Sequence, residues 1–298
     1  MLPFWISITL LSLAQGALVA VPRSVSPPKL AGLRGRHWAA ILPVSVIAFV
    51  FVVRTAERAS AQGLTYLALC AVPVLAALAL GWPLSGPPDP RGRSRRAMRA
   101  LLVLPLFALA WVDHGGLAGD GAALVLSALS CVTLAVLLAA LTPARWLAGG
   151  ILAMAVADTA LVVSDLLQRP NNTLNAAHPA AGLPRLQSAV FGSAVMGYGD
   201  LLVAAALGAL LAVTVGRSLQ LRAARLTALV ALAFDLLFFL VDELPATVPV
   251  ALALILLVAR RRLPSRLASR LGVTQRVSHR ERALRVVSTS PRGPGPTD

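Results

Sequence analysis

The stretch Met196–Ala212, MGYGDLLVAAALGALLA, is apolar almost throughout, yet it carries Asp200 behind two glycines. Whether its surroundings are membrane or soluble core decides how the whole chain is read. The composition answers this. Of 298 residues, 57% are hydrophobic and 13% charged, and the mean hydropathy is +0.78. Soluble domains carry about 25% charged residues, so the chain reads as an integral membrane protein. A helix needs about 20 apolar residues to cross a bilayer. Apolar runs predict about nine spans, at roughly 2–21, 38–53, 64–82, 97–112, 121–141, 146–168, 187–215, 225–241 and 246–259. The first lacks the basic start and the small-residue cleavage site of a signal peptide, and is kept as a span. The expected fold is all-α, a polytopic membrane helix bundle. It divides into an N-terminal transmembrane region (1–145, five spans), a transmembrane region rich in intramembrane acids (146–259, four spans) and a basic tail (260–298).

The net charge of +15 is distributed as membrane topology demands rather than as a nucleic-acid surface. Basic residues collect in cytoplasmic loops. The loops after spans one, three, five and seven hold Arg23, Lys29, Arg34 and Arg36; Arg91, Arg93, Arg95, Arg96 and Arg99 against Asp89; Arg145; and Arg217, Arg222 and Arg225. The intervening loops are close to neutral or acidic: Arg54, Glu57 and Arg58, then DHGGLAGD, then DELPA with Asp242 and Glu243. This alternation predicts an external N-terminus, a cytoplasmic C-terminus and an odd number of spans. The Ala-, Leu- and Arg-rich usage suggests a bacterial plasma membrane, where the sequon at Asn171–Thr173 carries little meaning. Cys70 and Cys131 fall inside spans and imply no disulfide. In the tail, Leu263, Leu267 and Leu271 recur every four residues among arginines, which suits a helix on the anionic inner leaflet. The segment STSPRGPGPTD reads as disordered.

Ionised groups at membrane depth are rare and usually functional. Asp158 and Asp165, seven positions apart, face the same way on the sixth span. Asp200 lies in the seventh and Asp235 in the eighth. At 1.5 Å per residue, Asp200 is about 25 Å from the edge marked by Arg217, while Asp158 and Asp165 are about 20 and 30 Å from Arg145. Either therefore has the depth to meet Asp200 across consecutive antiparallel helices. Two carboxylates sharing one proton can act as base toward water and as acid toward a carbonyl. Gly197 and Gly199 would let a helix, a substrate backbone or water approach Asp200 closely. A lone Gly-x-Gly-Asp is weak evidence, and a single intramembrane Asp often only bonds a neighbouring helix. Its value comes from the acids one helix earlier.

Gly197-Tyr198-Gly199-Asp200 resembles the GxGD signature of intramembrane aspartic proteases: presenilin, signal peptide peptidase and the type IV prepilin peptidases. MGYGDLLVAAALGALLA is most similar to the prepilin peptidases. Nine spans with aspartates on the sixth and seventh, and an external N-terminus, look more like signal peptide peptidase. LPATVPVALAL, from Leu244, resembles the Pro-Ala-Leu element beside presenilin aspartates, although Thr247 stands in its third place. Pro245 and Pro249 remove backbone donors there, so freed carbonyls could pair with an extended substrate. Ala157 or Ser164 replaces the presenilin Tyr before the first aspartate. SDLLQRPNNTLN around Asp165 resembles the segment after the first prepilin-peptidase aspartate, whereas deeper burial favours Asp158. Both stay open as partners of Asp200. A cytoplasmic Cys-x-x-Cys domain is absent, and the first five spans carry nothing diagnostic.

The resemblance implies an aspartic endopeptidase hydrolysing membrane-embedded or leader-peptide substrates, with Asp158, Asp165 and Asp200 as catalytic candidates and Gly197, Gly199, Pro245 and Pro249 as substrate-binding candidates. A proton-coupled transporter using the acids of spans six to eight, or an inactive scaffold of the same fold, are the alternatives. No His-Glu-x-x-His, Gly-x-Ser-x-Gly or phosphate loop occurs. His37, His114, His178 and His279 are scattered, and no metal, cofactor or nucleic-acid partner is expected.

Overall fold

The computed structural model describes residues 3–23, 28–81, 93–177, 179, 182–241 and 243–270, and side chains for these except 28, 29, 31, 56–58, 93–96 and 260–270. Asp89, Arg91, His178, Asp242 and the chain beyond Arg270, with Leu271 and His279, lie outside the described residues. Ten α-helices are described: α1 (Phe4–Ala20), α2 (Ile41–Gly81), α3 (Arg93–Ala100), α4 (Val103–Val112), α5 (Leu117–Leu141), α6 (Ala144–Val163), α7 (Gln168–Ala176), α8 (Tyr198–Thr214), α9 (Arg217–Asp235) and α10 (Val248–Arg270). One antiparallel hairpin, β1 (Ser188–Phe191) and β2 (Ala194–Gly197), interrupts them. Residues 1–254 form one unit, and a second begins at Ile255 within α10.

Four helical segments are long and apolar enough to cross a membrane: Arg36–Thr55, Ala59–Gly81, Leu117–Leu141 and Ala144–Val163. Shorter apolar helices run over Phe4–Ala20, Ala97–Val112, Tyr198–Thr214 and Val248–Ala259. The first two long segments lie along α2, the first of them starting in the 3-10 turn Arg36–Ala40 that precedes it. Ser60 Oγ donates to the Val52 carbonyl at 3.3 Å, although a straight helix would separate residues eight apart by about 12 Å. The helix therefore bends sharply where Arg54, Glu57 and Arg58 interrupt the apolar run. Many large apolar side chains face outward, Phe51, Leu104 and Val156 among them. In water such a surface would drive association; against lipid tails it is solvated.

Several expected spans change their bounds: the second and third join in α2, and the fourth divides into α3 and α4. The seventh, expected at 187–215, begins as helix only at Tyr198, because Ala-Val-Phe and Ala-Val-Met flank Gly192-Ser193 and pair as strands. Gly192 takes φ +61°, as the first central residue of a two-residue hairpin turn requires. The sixth, expected to reach 168, ends at Val163, and the polar sequence from Gln168 forms α7. The eighth, expected at 225–241, begins at Arg217, so its first half is polar, and it closes in a 3-10 turn over Leu236–Phe239.

The centre of the bundle is α8. Leu201 and every residue from Val203 to Leu211 are buried, as expected of a helix apolar on all sides. It packs on α5, α1 and α6. The N-terminal helix also crosses α9, and at that crossing a Cβ on Gly16 would stand 2.6 Å from the Ala228 Cβ. With lipid tails as apolar as leucine, such small-residue contacts supply the dispersion that holds helices together. The first five spans are thus not a separate body: α1 and α5 enclose the helix that carries Asp200.

Candidate functional site

Asp200 occupies the third position of α8, not the middle of a span. Its Oδ2 accepts the backbone N–H of Gly197, the residue preceding the helix, at 3.0 Å. A carboxylate in a first turn satisfies one orphan donor and complements the helix dipole. Gly197 leaves room for this: a Cβ there would lie 2.9 Å from Asp200 Oδ2. At Gly199 the nearest neighbour is the Met154 methyl, at 3.5 Å. The hairpin that delivers Gly197 is fixed in turn, since Asp120 on α5 accepts the Gly192 N–H at 3.0 Å. Tyr198, between the two glycines, meets Ser130 of α5 hydroxyl to hydroxyl at 2.7 Å.

Asp158 lies on α6 one turn beyond Met154 and is 8% exposed. Its Oδ2 accepts the hydroxyl of Thr247 at 2.6 Å. Asp158 on α6 and Asp200 on α8 belong to helices that pack on each other. Both line one cavity of about 630 Å³ together with Gly197, Gly199 and Pro249. Among the described residues lining it are four carboxylates, Asp158, Asp200, Asp235 and Glu243, and no Lys, Arg or His.

Asp165 is placed elsewhere. It is exposed in the turn after α6 with φ +54°, where its N–H and that of Leu166 return to the carbonyls of Val162 and Leu161. This is the left-handed residue of a helix C-terminus, and it does not line the cavity. Seven residues separate it from Asp158, about 10.5 Å along a helix, so one of the two at most can reach Asp200. Pro245 is buried and likewise outside the lining; its carbonyl accepts the Val248 N–H at 3.1 Å, starting α10.

No known protein family matches the chain, no curated protein matches it, and no solved structure matches it. The arrangement must therefore be judged on its own geometry.

Several cavity residues carry no motif in the sequence. Ser12 of α1 donates to Asp235 Oδ2 at 2.8 Å, and Gln15 donates to the Ala246 carbonyl at 2.6 Å. Asn171 of α7 donates to Glu243 Oε1 at 2.9 Å. The three-residue spacing of Ser12 and Gln15 on a mostly apolar helix was the available signal, since it puts both on one face. What they face is set by the packing of α1 against α9 and the start of α10. Among the described residues, no group of three His, Cys, Asp or Glu side chains is placed to hold a metal ion. Cys70 is exposed and Cys131 buried, both as free thiols.

Proposed function

We propose that the chain is an intramembrane aspartic endopeptidase, with Asp158 and Asp200 as its acid–base pair. The observation that carries this is that these two carboxylates, on α6 and α8, line one cavity together with Gly197, Gly199 and Pro249. Such a pair needs no cofactor. The unprotonated carboxylate takes a proton from water as the water oxygen attacks the peptide carbonyl. The protonated one gives its proton to the carbonyl oxygen. Collapse of the tetrahedral diol transfers a proton to the amide nitrogen and breaks the C–N bond. Substrates are membrane-embedded helices or leader segments, which unwind to expose the bond. Gly197, just before the helix that carries Asp200, leaves room beside that carboxylate, where a Cβ would stand 2.9 Å from Oδ2.

The proposed topology has nine spans, with α9 as the eighth, an external N-terminus and a cytoplasmic tail in a bacterial plasma membrane; the alternation of arginine-rich and arginine-poor loops supports it. Reporter fusions after Val287 and near Asn175 are expected to give opposite signals, and equal signals would overturn the count. Purified protein in liposomes is expected to cleave model transmembrane substrates. Cleavage that survives Asp200→Ala or Asp158→Ala would overturn the peptidase assignment.

A second reading, proton-coupled transport, is favoured by one observation: Asp235, held by Ser12, lines the same cavity as the pair. Solute or proton flux abolished by Asp235→Asn but not by Asp200→Asn would select it. An inactive scaffold would tolerate Asp200→Asn in a cellular complementation test.

A further inference from the structure

Threonine at the start of a helix ordinarily turns its oxygen onto its own first-turn N–H groups. Thr247 begins α10 in this sense, because its carbonyl accepts the Ala251 N–H at 3.1 Å. Its hydroxyl does something else: Oγ1 reaches across to another helix and lies 2.6 Å from Asp158 Oδ2. Thr247 is 0% exposed, so water does not compete for that contact. A hydroxyl has one proton to donate. Directed at Asp158 Oδ2, it makes that oxygen an acceptor, and the start of α10 adds the positive end of a helix dipole on the same side. Asp200 is supported differently. Its donor is the N–H of Gly197, from its own helix start. The two acids are thus held by separate elements with unequal donors.

We infer that Thr247 is a positioning residue of the peptidase reaction. Its hydroxyl holds Asp158 in the orientation and the unprotonated form that receives a proton from water, leaving Asp200 to protonate the substrate carbonyl. In the attack step the water oxygen bonds to the carbonyl carbon and its proton passes to Asp158 Oδ1. The Asp200 proton moves to the carbonyl oxygen. Thr247 keeps its own proton throughout and touches neither water nor substrate. This rests on the peptidase reading proposed above.

The test compares Thr247→Val and Thr247→Ser with the native protein in liposomes, using a fluorogenic transmembrane peptide and separating kcat from KM. Valine keeps the shape and removes the donor. Its kcat is expected to fall about ten- to hundredfold, the range spanned by one hydrogen bond to a charged group. KM should change by less than about twofold, because binding of the ground state does not use this hydrogen bond. Serine keeps the hydroxyl and is expected to restore kcat to within about threefold. A purely structural role would move thermal stability without this kcat-specific loss. Native kcat in a folded Thr247→Val, or a folded Thr247→Ser as impaired as valine, overturns the inference. If valine does not fold, the serine variant decides alone. Cleavage retained in Asp158→Asn and Asp200→Asn is a different result, since it removes the peptidase reading itself.

Discussion

Replacing Gly197 by alanine places a methyl carbon 2.9 Å from Asp200 Oδ2, against the 3.4 Å at which ordinary contact begins. Gly197 has φ −65° and ψ 144°, which any residue adopts, so the substitution strains no backbone. The least expensive relief is a shift of the carboxylate by about 0.5 Å or more, the difference between those two distances. That shift stretches the 3.0 Å hydrogen bond from the Gly197 N–H. Losing a helix-start bond of this kind lowers stability by about 0.5–2 kcal/mol. The catalytic effect is larger in proportion, because a displacement of about 1 Å at a reacting group can reduce a rate about a hundredfold. Gly197→Ala is therefore expected to lower cleavage by about one to two orders of magnitude while lowering thermal stability only modestly. Gly199→Ala is the control. Its methyl would meet the Met154 methyl at an ordinary 3.5 Å, so cleavage should stay within about threefold of native. Both variants would be purified in detergent, melted, and assayed in liposomes against one transmembrane peptide. Native activity in Gly197→Ala alongside a loss in Gly199→Ala would refute the reasoning, because the contact at Asp200 would not be the one that matters.

Gly16→Ala is expected to lower thermal stability by about 1–3 kcal/mol, the cost of forcing extra volume into a close-packed crossing, because its methyl would meet Ala228 Cβ at 2.6 Å; an unchanged melting curve in detergent would contradict the described α1–α9 contact. Asp165→Gly should leave cleavage unchanged and raise stability by a few tenths to about 1 kcal/mol, since glycine adopts φ +54° without the side-chain penalty. Loss of cleavage in that variant would return Asp165 to the site. With four carboxylates and no Lys, Arg or His on the described lining, peptides bearing lysine should compete for the cavity more strongly than glutamate counterparts of equal hydropathy, and more so at low salt. Equal inhibition constants would count against access to those acids.

Composition and periodicity alone indicated a helical chain with segments apolar enough to cross a membrane, because crossing lipid leaves no other way to satisfy backbone groups in single segments. They also singled out Asp158, Asp165 and Asp200, because an acid among Leu, Ala and Val stands out wherever it falls. The hairpin before Tyr198 was legible in principle: Gly-Ser between Ala-Val-Phe and Ala-Val-Met is a recognised turn signal. It was masked by the continuous apolar run into α8, which reads equally well as one long span. Only the tertiary structure separates the surroundings of Asp158 from those of Asp165. Both satisfy the same helical phase, but α6 ends between them at Val163, leaving Asp165 to close the helix while Asp158 lines the cavity that Asp200 also lines. Thr247 looked like a departure from a motif, and packing made it the partner of Asp158. Ser12 and Gln15 lie more than two hundred residues before the segments they bond, and no local pattern encodes which helix will stand opposite. That information resides in how small residues such as Gly16 let particular helix faces meet, which tertiary contact alone selects.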